Sequence, residues 1–184
     1  MGAEELAKAA LRTLNAEPTA SMSRIAASAG VSRATLHRNF ASREDLIRQL
    51  GRMSLDSWRQ ALDTADVDAA GGSGDPERIR VAMNVLCREL VRDADEYGFT
   101  LTLTEHVQDA AIAAESVRLH EREMAFYAAA QESGLLRRDM PAAWIAYTVF
   151  GLLVGLRDAL RHGAVAVRDA ERLLRDTILH GVSA

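Results

Sequence analysis

The 184-residue sequence contains a single cysteine, Cys87, so no disulfide can close within the chain. No Cys and His spacing approaches a zinc site, and neither a metal nor another cofactor is expected. Only 3 prolines interrupt it, which leaves room for long helices. Aromatic residues make up 5%, too few to suggest a cage of stacked rings around a cationic ligand. The longest uncharged apolar run, from Ala142 to Leu156, is shorter than the roughly 20 residues of a spanning helix. The N-terminus lacks a basic segment followed by an apolar one. No membrane partner is therefore expected, and the cytoplasm is the expected location. Catalytic motifs are missing as well: there is no His-Glu-x-x-His, no nucleophile elbow and no phosphate-binding loop. Glu105-His106 and His120-Glu121 pair acid with base, but neighbouring residues on a helix point about 100° apart and cannot easily share one substrate atom. An enzyme is not expected.

What is present is unevenly charged. The net charge of -4 conceals eight basic against five acidic side chains through Arg52, a local +3, and fourteen against twenty-one thereafter, a local -7. A basic N-terminal module on an acidic body is the footprint of a small nucleic-acid reader joined to a larger domain.

Ala, Leu, Arg and Glu dominate, and apolar residues recur every three or four positions, so the fold class is all-α with about nine helices. Leu6, Ala10 and Leu14 form a first stripe that ends at Glu17-Pro18. Ser21 caps a short helix; Ala29-Gly30-Val31 turns the chain; Ser32 caps a second helix of about two turns, Arg33 to Asn39. Ser42-Arg43-Glu44-Asp45 reads as a capping box opening a long helix to about Val67. Asp68 to Gly74 is the one linker-like stretch. Asp75-Pro76 restarts the chain, with Ile79, Met83, Leu86, Cys87 and Leu90 as the buried stripe. Phe99 to Thr104 alternates like a strand but has no partner strand, and a short helix is expected there. Further helices are expected over 109–133, ended by Gly134, over 142–162 and over 167–181.

Residues 25–40, Ile-Ala-Ala-Ser-Ala-Gly-Val-Ser-Arg-Ala-Thr-Leu-His-Arg-Asn-Phe, have the form of a helix-turn-helix. Ile25, Ala26, Val31, Leu36 and Phe40 pack inward and Gly30 permits the turn. Ala34 and Arg38 then point outward with Thr35 and His37 beside them, a shape suited to the major groove of double-stranded DNA.

This phrase, running from Ser21-Met22 to Ser42-Arg43-Glu44-Asp45-Leu46, resembles the tetracycline-repressor (TetR) family of bacterial transcription regulators. The resemblance proper covers about residues 6 to 52. His37 stands where the family usually has a phosphate-contacting Tyr, and Asn39 where it has His or Tyr. The resemblance implies a DNA-binding domain over 1–50 and an effector-binding and dimerisation domain over 51–184. It implies that Ser21, Ser42 and Arg43 hold phosphates while Ser32, Arg33, Ala34, Thr35, His37 and Arg38 meet the groove, with Arg33 and Arg38 as candidates for guanine. The target is then a palindromic operator, read by a homodimer and released by a small-molecule effector. A regulator without an inducer is the alternative.

In the body, the segment 142–156 is apolar around its whole circumference, so both faces need cover. Gly151 and Gly155 permit close helix approach. Together with Ala170, Leu174, Thr177, Ile178 and Gly181, they form the dimer interface that the resemblance implies. The family's effector cavity maps to inward stripes carrying Trp58, Leu62, Met83, Leu86, Cys87, Phe99, Leu103, Leu119, Phe126 and Tyr147. Among them the polar His106, Ser116, His120 and Glu123 would orient a ligand in an otherwise apolar pocket.

Overall fold

A computed structural model describes residues 2–103 and 109–181. Among them every regular element is a helix, ten in number: α1 (Ala3–Ala16), α2 (Met22–Ser28), α3 (Arg33–Asn39), α4 (Arg43–Thr64), α5 (Val67–Ser73), α6 (Pro76–Glu96), α7 (Gly98–Leu101), α8 (Ala110–Glu132), α9 (Ala142–Arg161) and α10 (Val167–Gly181). The side chains named as caps perform that task. Ser21, Ser32 and Ser42 accept from the backbone N–H three residues on, and Asp75 and Asp109 cap α6 and α8. The reciprocal half of the expected capping box is displaced by one residue: Asp45 accepts from the Ala41 N–H at 3.1 Å rather than from the Ser42 cap.

Buried residues form two clusters. One gathers Leu6, Leu14, Ile25, Leu36, Phe40, Leu46 and Leu50 from α1 to α4, together with Tyr97 and Phe99 from the body. The other is built from α4 to α10 around Leu62, Met83, Leu86, Phe126, Tyr127 and Ile145. The boundary between them falls inside α4, whose first half seats the N-terminal bundle and whose second half enters the body.

The expected linker is the clearest departure from the sequence reading. α4 ends at Thr64, three residues early, because Asp66 takes a left-handed φ of 53°. The chain then forms α5, with Val67 and Ala70 buried and its Gly71 lying against α8: a Cβ there would sit 3.3 Å from that of Ala129. Gly71 thus serves close packing, and Gly74, at φ 66°, ends the helix. The count thereby rises from the expected nine to ten among the described residues. Phe99 lies in the one-turn helix α7, as expected for a strand-like segment that has no partner strand.

By length and composition α9 is apolar enough to cross a membrane. Its inner residues Ile145, Ala146, Val149 and Leu153 are packed into the body core.

Candidate functional site

The exposed end of the N-terminal bundle is made by two seven-residue helices, too short to persist alone. Ile25, Ala26, Leu36 and Phe40 lock them to α1 and α4, and Gly30, at φ 68°, makes the turn between them. The opposite face of α3 is left in water. Arg33, Ala34, His37 and Arg38 are exposed and Thr35 half-exposed. Their polar groups satisfy one another: the Ser32 and Thr35 hydroxyls lie 2.9 Å apart, Arg38 donates to Thr35 Oγ1 at 3.1 Å, and Arg33 Nε reaches His37 Nε2 at 3.4 Å. Asn39 donates to the Thr35 carbonyl at 2.9 Å. Such a face is pre-organised, and its guanidinium groups still have donors to spare.

Arg43 has a different commitment. Its guanidinium donates to the carbonyls of Ala20 and, at 2.8 Å, Pro18, so the start of α4 braces the loop leading to α2. Ser42 is half-buried and Ser21 exposed, each spending its oxygen on a helix cap.

The body encloses a cavity of about 600 Å³ between α4, α6, α7, α8 and α9. Six of the residues named from sequence line it: Trp58, Leu103, Ser116, His120, Glu123 and Tyr147. His106 lies outside the described residues. The remaining candidates are corrected by the packing. Leu62, Met83, Leu86, Cys87, Leu119 and Phe126 are buried in the core of the body and do not line the cavity. Their stripes do face inward, but toward neighbouring helices. Burial accordingly pushes the Cys87 thiol up to about 12. Phe99 belongs to the N-terminal cluster, where it covers the joint between α6 and α7.

Four wall positions escaped the sequence reading and matter most: Asp93, Tyr97, Thr100 and Phe150. Asp93 sits in the charged run Arg92-Asp93-Ala94-Asp95-Glu96, which reads as a solvated face. The signal was its register, since Ile79, Met83, Leu86, Leu90, Asp93 and Tyr97 form one helical stripe. Ser57 donates to Asp93 Oδ1 at 2.7 Å, and burial raises this carboxyl to about 6. Glu123 is buried more completely and raised to about 7, mainly by desolvation, against hydrogen bonds from Tyr127, at 2.6 Å, and from Trp58. The Tyr147 and His120 rings lie on the cavity wall 5.0 Å apart between centroids, tilted by 51°.

The expected dimer surface divides. Gly151, Gly155, Thr177 and Gly181 are exposed. Ala170, Leu174 and Ile178 are instead buried within the chain, because the apolar stripe of α10 closes the core against α6 and α9. The exposed aromatic groups are on α9, where Trp144, Tyr147 and Phe150 are 60%, 63% and 45% exposed, while Val81, Val117 and Val167 are exposed singly on other helices.

Residues 6–50 match the family described as bacterial regulatory proteins, tetR family. Over 180 residues the chain is 28% identical to the HTH-type transcriptional regulator NfxB of Pseudomonas aeruginosa, covering 98% of this chain and 94% of that one. Over 67 residues it is 45% identical to the HTH-type transcriptional repressor LfrR of Mycolicibacterium smegmatis, about a third of either chain. The solved structure of LfrR in complex with proflavine superposes with a TM-score of 0.77 at 22% identity, covering 98% of this chain and 96% of that chain. That of AibR in complex with isovaleryl coenzyme A and operator DNA gives 0.73 at 17% identity, covering 98% and 97%. With a helix-turn-helix presenting a polar, pre-organised recognition helix over the residues that match the tetR family, and with full-length likeness to such regulators in sequence and fold, the chain is similar to the TetR family of bacterial transcriptional regulators.

Proposed function

We propose that the protein is a homodimeric repressor that holds a palindromic operator through α3 of each subunit and releases it when a small molecule fills the body cavity. The observation that carries this reading is the double role of α4. Leu46, Ile47 and Leu50 seat the DNA reader, while Gly51, Ser54, Leu55 and Trp58, immediately following, form a wall of the cavity. A ligand that displaces this wall tilts the helix beneath the reader, and two readers set about 34 Å apart, or a multiple of that, lose register together. Arg33 and Arg38 are the groups for base edges, with Ala34 and Thr35 for thymine methyls and His37 for the flanking backbone. Ser21, Ser32 and Ser42 lie at helix starts, and Arg43 holds the loop that places Ser21. AibR, solved with both an acyl-coenzyme A and operator DNA, lends the reading support by analogy of fold.

Selection from random DNA with the full chain should return two-fold symmetric sites. A compound found by thermal shift should then lower operator affinity by about 5- to 150-fold, and operator must lower the affinity for that compound by the same factor. Asymmetric single half-sites would overturn the dimeric reading, and equal affinity for free and operator-bound protein would overturn release.

A further inference from the structure

A second cleft, of about 560 Å³, opens between the reader and the body, where the end of α1 faces α7, the last turns of α9 and the start of α10. Among the described residues its wall carries three cations, Arg12, Arg157 and Arg161, and one acid, Asp95. That sign is the reverse of the body's, since the chain beyond Arg52 has a net charge of -7. Arg157 is committed within the fold: its side chain is only 13% exposed, donates to the Gly98 carbonyl and pairs with Asp158 at 3.0 Å. Arg12 and Arg161 are exposed and differ from every other arginine. Most arginines of the chain stand beside a carboxylate. Of those that do not, Arg33 and Arg38 lie on the outward face of α3, and Arg43 and Arg138 donate to main-chain carbonyls. That leaves Arg12 and Arg161 with neither an ion pair nor a hydrogen bond among the described residues, and both line this one cleft. The rest of the wall is largely apolar, with Leu14, Phe99, Leu103, Leu160 and Val167, the last of them 72% exposed.

We propose that this cleft binds monoanionic organic acids, the carboxylate taken by Arg12 and Arg161 and an apolar body laid against Phe99, Leu160 and Val167. The charge balance selects the ligand. Asp158 offsets Arg157, so Arg12 and Arg161 against Asp95 leave one positive charge in excess. A cation would add to that excess. A neutral acceptor would answer the guanidinium donors with hydrogen bonds only about half as strong as those of a carboxylate, whose two oxygens also match the guanidinium fork. Arg12 belongs to the reader and Arg161 to the body, so the bound acid bridges the two independently of α4. Leu103 is the one residue common to this wall and that of the body cavity, and the proposal goes beyond the effector reading without resting on it.

The test uses three probes on one bicyclic frame: 2-naphthoate as the anion, 2-naphthamide as the neutral form and 2-naphthylmethylammonium as the cation. Titration calorimetry with the full chain at pH 7.5, in about 150 mM salt to screen exposed charges, should show the anion binding at least about tenfold tighter than the amide and the cation not at all. Arg12→Gln and Arg161→Gln, both at exposed positions, should each weaken the anion about tenfold and leave the amide unchanged. Arg118→Gln removes the same charge from α8, which does not border the cleft, and Tyr147→Ala alters the wall of the body cavity; both should bind the anion as the wild type does. Saturating 2-naphthoate should raise the thermal midpoint of the wild type and not that of Arg12→Gln. Equal binding of the three probes, an equal loss in Arg118→Gln, or a loss in Tyr147→Ala with none in the Arg12 and Arg161 variants would each overturn the proposal.

Discussion

Asp93 and Glu123 show what a single buried carboxyl does to a whole chain. Both bind a proton more tightly when folded, at about 6 and about 7 against ordinary values of 3.8 and 4.5. Between about pH 4 and 7 the native state therefore holds more protons than the unfolded one, and each group subtracts stability as pH rises through that window. The groups facing Asp93 are Ser57, Arg92, Glu89 and Glu96, and those facing Glu123 are Tyr127 and Trp58. Only Arg92 among them is positive, and it is half exposed. About two pKa units apiece correspond to roughly 3 kcal/mol for each carboxyl. Urea midpoints should thus show Asp93→Asn and Glu123→Gln gaining on the wild type between pH 5 and about 8, the difference flattening above the folded values. Parallel pH profiles would mean that neither group is neutralised by burial. Comparing variant with wild type matters because Asp109, Glu115 and Asp139, whose carboxyls are held low by N–H donors or arginines, act in the opposite direction. Sequence gave access to Glu123, an acid interrupting an apolar stripe, but not to Asp93, whose neighbours Arg92, Asp95 and Glu96 disguise it.

At the level of elements, α7 is the smallest helix and the one most constrained by its neighbours. Asn15 of α1 donates to the Glu96 carbonyl at 2.7 Å and accepts from the Phe99 N–H at 2.7 Å, closing the end of α6 and the start of α7 with one side chain. From the other side Arg157 of α9 donates to the Gly98 carbonyl and lies so close that a Cβ on Gly98 would stand 2.5 Å from its Cδ. Thr100 and Leu101 of the same turn line the cavity. The body thus meets the reader at two places, along α4 and through this joint, and the second was invisible to periodicity because it depends on a hydrogen bond across 84 residues. Helix stripes, caps and turns are local and were legible. The packing of α5 against α8 and the Asn15 joint are tertiary facts that override local propensity. Removing the Asn15 amide should leave two backbone groups short of partners, at a cost of about 1–3 kcal/mol. Both tryptophans, Trp58 and Trp144, lie in the body. In Asn15→Ala, unfolding followed by tryptophan fluorescence should therefore separate from unfolding followed by far-ultraviolet dichroism, the reader melting first. Coincident transitions with an unchanged midpoint would show that α4 alone joins the two clusters.

At the scale of the whole molecule, the exposed face of α9 is where the proposed pairing of two copies has its physical support. Glycine within a helix costs roughly 0.5–1 kcal/mol relative to alanine, and at Gly151 and Gly155 the chain gains nothing internal in return, since an added Cβ would meet no atom within 4 Å. They share the outer face of α9 with Trp144, 60% exposed, apolar surface that the rest of the chain does not cover. A second copy approaching along this face would use the glycines for close contact and bury the Trp144 ring. The inward stripe of α10 leaves Thr177 and Gly181 to border the contact from the neighbouring helix. Leucine at both glycine positions removes the approach, yet each substitution exchanges a poor helix former for a good one at a site with open space. The Gly151→Leu/Gly155→Leu chain should therefore fold with a midpoint equal to or above that of the wild type in its monomeric form, and sediment as a monomer at micromolar concentration. Its reader is untouched, but without its partner it loses the second half-site held at high effective concentration, and operator affinity should fall by a factor of about 100 or more. A variant that sediments as a dimer and keeps its operator affinity would place the subunit contact on another face. One that dimerises but loses operator would mean that the α9 face sets the spacing of the readers rather than the association itself.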